Sequence, residues 1–214
     1  MKLNNKGMSL MELLVSIVLI GIVLTFLFQL LVDVKNETGN NDYAYNNQVN
    51  RTEAIYTIEK DLQEYLLLGI EDKSSSSNFE IDFHYMKGKD EATAVLTIDT
   101  YEGLNDLGDT VTKYYLRYTD VLGEKYSWEM KNAQLDTCGD FTYYIDSLSD
   151  NYYFKLNLYV YNSILTEKNY KDRNNAVDDI EITYAASKSG LVTTNGSYLT
   201  NSTSGEKQIG TCAN

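Results

Sequence analysis

One apolar run near the N-terminus constrains this chain more than any other feature. From Leu13 to Val32 there are twenty residues without a formal charge. A helix rises about 1.5 Å per residue, so the run covers the roughly 30 Å hydrocarbon core of a bilayer. Lys2 and Lys6 precede it, and the positive-inside bias then puts the N-terminus in the cytoplasm and the rest of the chain outside. A cleavable signal peptide has a shorter apolar region, about 7–15 residues, and ends in a small-x-small site. Here the far end reads Phe28-Gln29-Leu30-Leu31-Val32-Asp33 and has no such site. An uncleaved signal anchor would account for the run but not for Glu12, the acid at its start. A carboxylate at helix depth in a bilayer costs roughly 2.5–3.5 kcal/mol on insertion scales. Something has to offset that cost.

Residues 6–17 read Lys-Gly-Met-Ser-Leu-Met-Glu-Leu-Leu-Val-Ser-Ile. This stretch resembles the class III signal of type IV pilins and type II secretion pseudopilins. The resemblance implies that a prepilin peptidase cuts on the cytoplasmic side, directly after Gly7, and that the new N-terminus at Met8 is methylated. Glu12 is then the fifth residue of the processed chain, where the family keeps its glutamate. Met8 departs from the phenylalanine usual at the first position. The family's partners follow as expectations: the prepilin peptidase, other major and minor pilin subunits, an inner-membrane assembly platform and the lipid bilayer. So does the location, a single-pass cytoplasmic membrane protein with an extracytoplasmic head, incorporated into a pilus or pseudopilus.

Cleavage would leave a free α-amine on Met8, at the positive end of a helix. Glu12 of an entering subunit can pair with the Met8 amine of the subunit already in place, which removes two desolvated charges together. The alternative is that Glu12 snorkels to the headgroup edge or interacts with its own helix terminus.

Beyond Asp33 the sequence turns polar, and Gly39-Asn40-Asn41 is the expected soft point. A helical stripe then resumes at Tyr45, Val49, Thr52, Ile55, Ile58, Leu62 and Leu66, spaced three or four apart, with Gly69 as the expected stop. Asn50, Arg51, Glu53, Glu59, Lys60 and Asp61 fall largely between these positions. Position 29, where pilins often carry a kinking proline, is Gln29, and the chain has no proline at all. Residues 71–78 are Ser-rich and mark the expected boundary between stalk and head. Alternating segments follow at 79–86, 93–101, 111–119, 125–130, 141–145, 152–161 and 180–185, separated by turn signals. Short strands after one long helix predict an α+β fold with a largely antiparallel sheet. The expected organisation is a leader at 1–7, a transmembrane and assembly helix at 8–34, an amphipathic stalk helix at 35–70 and a β-rich head at 71–214. The tail from Ser187 is expected to be irregular.

Residues 51–64 add a narrower resemblance, to the end of the first helix in J-type pseudopilins and W-type minor pilins, carried by Ile58-Glu59-Lys60-Asp61-Leu62. With the chain's 214 residues it implies a minor subunit in a tip or priming complex. The other readings of the same architecture are an adhesin head that binds a surface ligand and a signal-anchored surface enzyme.

Net charge is −13, and loss of Lys2 and Lys6 makes the side-chain balance 16 − 31 = −15. Such a surface offers phosphates few counter-charges, which argues against general nucleic-acid binding. The two cysteines, Cys138 and Cys212, both fall on the exported side, where oxidation is possible. Pairing would close a loop of about 75 residues and contribute on the order of 4 kcal/mol in the loop-entropy model. It resembles the C-terminal disulfide loop of many type IV pilins; two free thiols are the alternative. Enzymatic signals are poor. His84 is the only histidine and sits in a strand-like segment, no Ser-His-Asp set stands out, and neither a His/Cys metal cluster nor a phosphate loop is legible. No cofactor is expected. Calcium is the one candidate, at residues 105–109 or at Asp178-Asp179, and neither matches the EF-hand spacing.

Overall fold

In the computed structural model the described residues are 10–75, 78–105, 108–146, 151–162, 176–187, 193–194, 197–198 and 205–211. Helix α1 takes up Leu10–Glu64. The chain divides into two compact units, Met1–Ala44 and Tyr45–Asn214.

In the first unit the helix carries the apolar run. None of residues 13–35 is buried, and Phe28 is 66% exposed. The helix runs through Gly21, and through Gly39 where a soft point was expected. A single glycine weakens a helix by only about 1 kcal/mol, and no proline adds to it. Thr25 and Thr38 donate their hydroxyls back to the Gly21 and Val34 carbonyls, both at 2.8 Å, so neither polar group is stranded on the apolar surface.

The second unit holds two sheets. β1 (Leu66–Asp72), β2 (Phe79–Lys87), β3 (Asp90–Leu104), β4 (Thr110–Thr119) and β5 (Lys125–Met130) form an antiparallel meander in that order. β6 (Ala133–Asp146), β7 (Asn151–Asn162) and β8 (Asp178–Ser187) form a second meander, with β11 (Gly205–Gly210) added beside β6. A short pair, β9 (Thr193–Thr194) and β10 (Ser197–Tyr198), completes the described strands. All seven strands expected from alternation are present, and the architecture is one long N-terminal helix followed by antiparallel sheets, an α+β fold consistent with that of the pilins.

Three expectations are corrected. The helix ends at Glu64 rather than at Gly69, because Leu66 and Leu67 pair with Met86 and Tyr85 of β2 in an additional strand. Gly69 marks an irregularity in that pairing, where the register shifts between Leu67 and Gly69, rather than a helix stop. Glu71 and Asp72, expected within the 71–78 boundary between stalk and head, belong to β1 instead. The tail is not wholly irregular: β11 pairs with β6 from Gly205↔Tyr143 to Gly210↔Cys138.

The core follows period two. β2 buries Phe79, Ile81, Phe83 and Tyr85; β4 buries Leu116 and Tyr118; β7 buries Phe154, Leu156, Leu158 and Val160. Ala54, Ile58 and Leu62 of α1 join the same cluster, while Tyr45 is 68% exposed and Val49 and Thr52 are also exposed. The stripe that faces the core is thus turned from the expected one. It passes through Asn47, Asn50, Arg51, Ala54, Ile58, Asp61 and Leu62, and its polar members have specific partners. The tail is tied in by Asp72, whose Oδ2 accepts from the Gly210 amide at 3.0 Å. Gly210 has φ +88°, and a Cβ there would meet the Thr137 carbonyl oxygen at 2.1 Å, so only glycine fits.

Candidate functional site

The expected assembly residues belong to the first unit. Gly7 and Met8 lie outside the described residues; Glu12 lies within α1, and its side chain is also outside them. Downstream of Glu12 the helix is apolar on every side, and that surface has no cover from the chain's own described residues. By length and composition it is long and apolar enough to cross a membrane. A helix hydrophobic all round is stable only in lipid or against other helices.

The second unit grips its own part of α1 through polar groups. The Asn47 amide donates to the Lys131 carbonyl at 2.8 Å and accepts from the Lys131 N–H at 2.7 Å, as a neighbouring strand would. Asn50 donates to the Glu129 carbonyl at 2.8 Å. Arg51 donates to the Asp179 carbonyl at 3.1 Å and forms an ion pair with Asp178. Further along, the buried carboxylate of Asp61 accepts from the Tyr118 hydroxyl at 2.8 Å and the Val121 amide at 3.1 Å. Burial raises the Asp61 pKa, and the two hydrogen bonds only partly oppose that rise. Burial likewise pushes the Tyr85 and Tyr118 hydroxyls far up, so both remain neutral and Tyr118 stays a donor. Asp120 holds the β4–β5 turn by accepting from the Leu122 and Glu124 amides, both at 2.8 Å.

Residues 2–28 match the family model for the prokaryotic N-terminal methylation motif. The chain carries a type IV pilin-like prepilin signal. The match covers most of the apolar run and does not extend into the head. No curated protein and no solved structure matches the chain. The motif marks a pilin-like chain for prepilin peptidase and for assembly with pilin subunits, through a membrane-anchoring helix followed by a head domain.

In the head the remaining candidates sort differently. Cys138 lies on β6, in register with Gly210, and its sulfur is 3.5 Å from the Thr211 hydroxyl. Cys212 lies outside the described residues. Of the two acidic segments considered for calcium, Asp178 is engaged by Arg51, and Asn105 and Asp109 bond to each other across their turn. His84 is a sheet residue, as expected, on β2. The sequence reading missed its neighbours. β-pairing sets Glu71 opposite Asp82, two residues from His84 and on the same face, so Glu71, Asp82 and His84 bring their ligand atoms within 4.8 Å of one another. The alternation Asp82-Phe83-His84 was a local signal for two polar groups on one face. Glu71 could be added only once 66–72 was known to be a strand.

Proposed function

We propose that this chain is a minor subunit of a type IV pilus or pseudopilus, cut between Gly7 and Met8, methylated at Met8, and built into a tip or priming complex. The observation that carries the reading is the methylation motif at residues 2–28 with Glu12 inside it. Each subunit then brings one amine and one acid into the bilayer, and pairing Glu12 with the Met8 amine of a neighbour offsets both desolvation costs and fixes the axial register. The uncovered apolar helix supplies the surface along which neighbours pack. The acidic head is the part left to meet other minor subunits outside the membrane. In this reading Cys138 and Cys212 form a disulfide that fastens the C-terminal tail, supported by the Cys138–Gly210 register and by the lack of a free thiol among the described residues.

The test is the N-terminal mass of the protein purified from cells with and without the prepilin peptidase. A peptide beginning at methylated Met8, seen only with the peptidase, supports the reading. An intact Met1 in both strains overturns it. Quantitative immunoblotting of sheared filaments tests the minor role, which requires the chain at a small fraction of the major subunit; equal abundance excludes it.

A further inference from the structure

We propose that Glu71, Asp82 and His84 form a binding site for one divalent transition-metal ion of borderline softness, Zn²⁺ being the reference case. Three strand-held ligand atoms, two carboxylate oxygens and one imidazole nitrogen, converge within 4.8 Å on β1 and β2. This donor set suits Zn²⁺ and its neighbours, whereas Ca²⁺ takes six to eight oxygens.

The local charge balance points to a cation. Glu91 and Lys73 complete the cluster. Its carboxylates are Glu71, Asp82 and Glu91, and Lys73 is its one permanent cation, so the sum is −3 + 1 = −2. Lys73 Nζ lies 2.5 Å from Asp82 Oδ2 and 3.7 Å from Glu71 Oε2, an ammonium standing where a metal ion would bridge the same two groups. The other oxygen of Asp82, Oδ1, is buried and has no hydrogen-bond partner among the described residues, in a residue only 3% exposed. A buried carboxylate oxygen without a donor is costly, and an ion held by both oxygens of the Asp82 carboxylate would satisfy it.

The imidazole is oriented for the same purpose. Its Nδ1 lies 3.2 Å from the Glu91 carboxylate and 3.4 Å from the Thr93 hydroxyl, and in the tautomer with its proton on Nδ1 it donates to Glu91. In that tautomer the Nε2 lone pair faces Glu71 Oε2 at 3.3 Å. Two acceptors at that distance repel unless a proton or a metal ion lies between them. A tetrahedral ion with ligand distances of about 2.0–2.1 Å spaces its ligands about 3.3–3.4 Å apart, which matches the Nε2–Oε2 separation. A carboxylate behind a ligating histidine is the usual outer-shell partner. Glu71 and His84 are partly exposed on this face, which gives an ion a way in. The ion would tie β1 to β2 through their side chains, beside the Asp72 bond that holds the C-terminal strand.

His84 is the only histidine, so the chain labelled with ¹³C-histidine gives one imidazole signal. The full-length protein in detergent is titrated with ZnCl₂ and, separately, with CaCl₂. The expected result is saturable movement of that signal at one Zn²⁺ per chain, with no such movement at equal CaCl₂. His84→Ala should weaken calorimetric Zn²⁺ binding at least tenfold. Lys73→Met, which removes the competing ammonium, should tighten it several-fold. The signal is read on the unaltered chain, so the test does not depend on either variant folding. A signal that stays in place at saturating Zn²⁺, that moves equally with Ca²⁺, or a His84→Ala chain that binds Zn²⁺ like the parent, overturns the site.

Discussion

The two stretches of α1 handle their acids in opposite ways. In residues 13–34 the helix exposes its apolar side chains on every side, and the acid just before them, Glu12, has its proposed partner in another subunit. In residues 45–64 the apolar face is covered, and the acid on that face, Asp61, finds both of its partners, Tyr118 and Val121, within the same chain. A helix region that completes itself is a structural part. One whose apolar surface is left uncovered by the described residues is, in the proposed reading, an assembly part. The difference lies in what surrounds each stretch, since both form the same helix.

Substitutions can break this comparison. The largest expected effect is that of Glu12→Ala. It removes a partner for a charge whose burial costs about 2.5–3.5 kcal/mol, so incorporation into filaments should fall about tenfold or more while membrane insertion persists. Immunoblots of sheared filaments against the membrane fraction measure it, and normal incorporation would falsify the pairing. Next comes Ile58→Ala, which empties a fully buried position of the core and should cost about 2–5 kcal/mol of head stability. The matched change Ile22→Ala, on the exposed stretch, should leave head unfolding within about 0.5 kcal/mol of the parent. Thermal melts followed by near-ultraviolet circular dichroism distinguish the two, and equal shifts would erase the contrast.

Asp61→Ala leaves the Tyr118 hydroxyl and the Val121 amide without their acceptor, at a cost of about 1–3 kcal/mol. Asp61→Asn keeps an acceptor and removes the charge, so it should sit nearer the parent. The same carboxyl gives a pH dependence of definite sign. Its folded pKa is raised above the ordinary 3.8, so the native state holds the proton more tightly than the unfolded chain. Its contribution is unchanged below the unfolded value and becomes destabilising as pH rises through the folded one. The melting temperature of Asp61→Asn relative to the parent should therefore improve as pH rises above the ordinary 3.8; a difference that is flat or reversed contradicts the burial argument. The smallest effect belongs to Arg51→Met. The ion pair with Asp178 is partly exposed, so its loss should cost at most about 1 kcal/mol and shrink in high salt.

Much of this was legible in the chain. Period-two alternation located the strands of both sheets, and 125–130 coincides with β5, because a half-buried strand writes its two faces directly into the sequence. The end of α1 was not legible. Leu66-Leu67-Leu68 is a run of good helix formers, and only pairing with Tyr85 and Met86 decides for a strand. β11 was hidden because an edge strand with one buried apolar residue, Ile209, has no period to read. The helix face was misjudged for a related reason. Asn47, Asn50, Arg51 and Asp61 look solvent-facing until the groups they bond are known, and those groups belong to residues at least 57 positions away. The processing motif was the clearest signal, since it is contiguous. The Glu71–Asp82–His84 cluster was the least clear, since it depends on strand register.

The two-way amide bond of Asn47 has a mechanical consequence. A single contact between a rod and a plate is a pivot, about which the rod can swivel or slide. Here the rod is clamped at two stations, Asn47 on Lys131 past the end of β5 and Asp61 on the turn before β5, fourteen residues or about 21 Å apart along the helix axis. With both clamps closed, the residue 47–61 stretch cannot turn about its own axis without turning the five-stranded sheet. Torque on that stretch is delivered to the plate, and the hairpin β4–β5 acts as its lever arm.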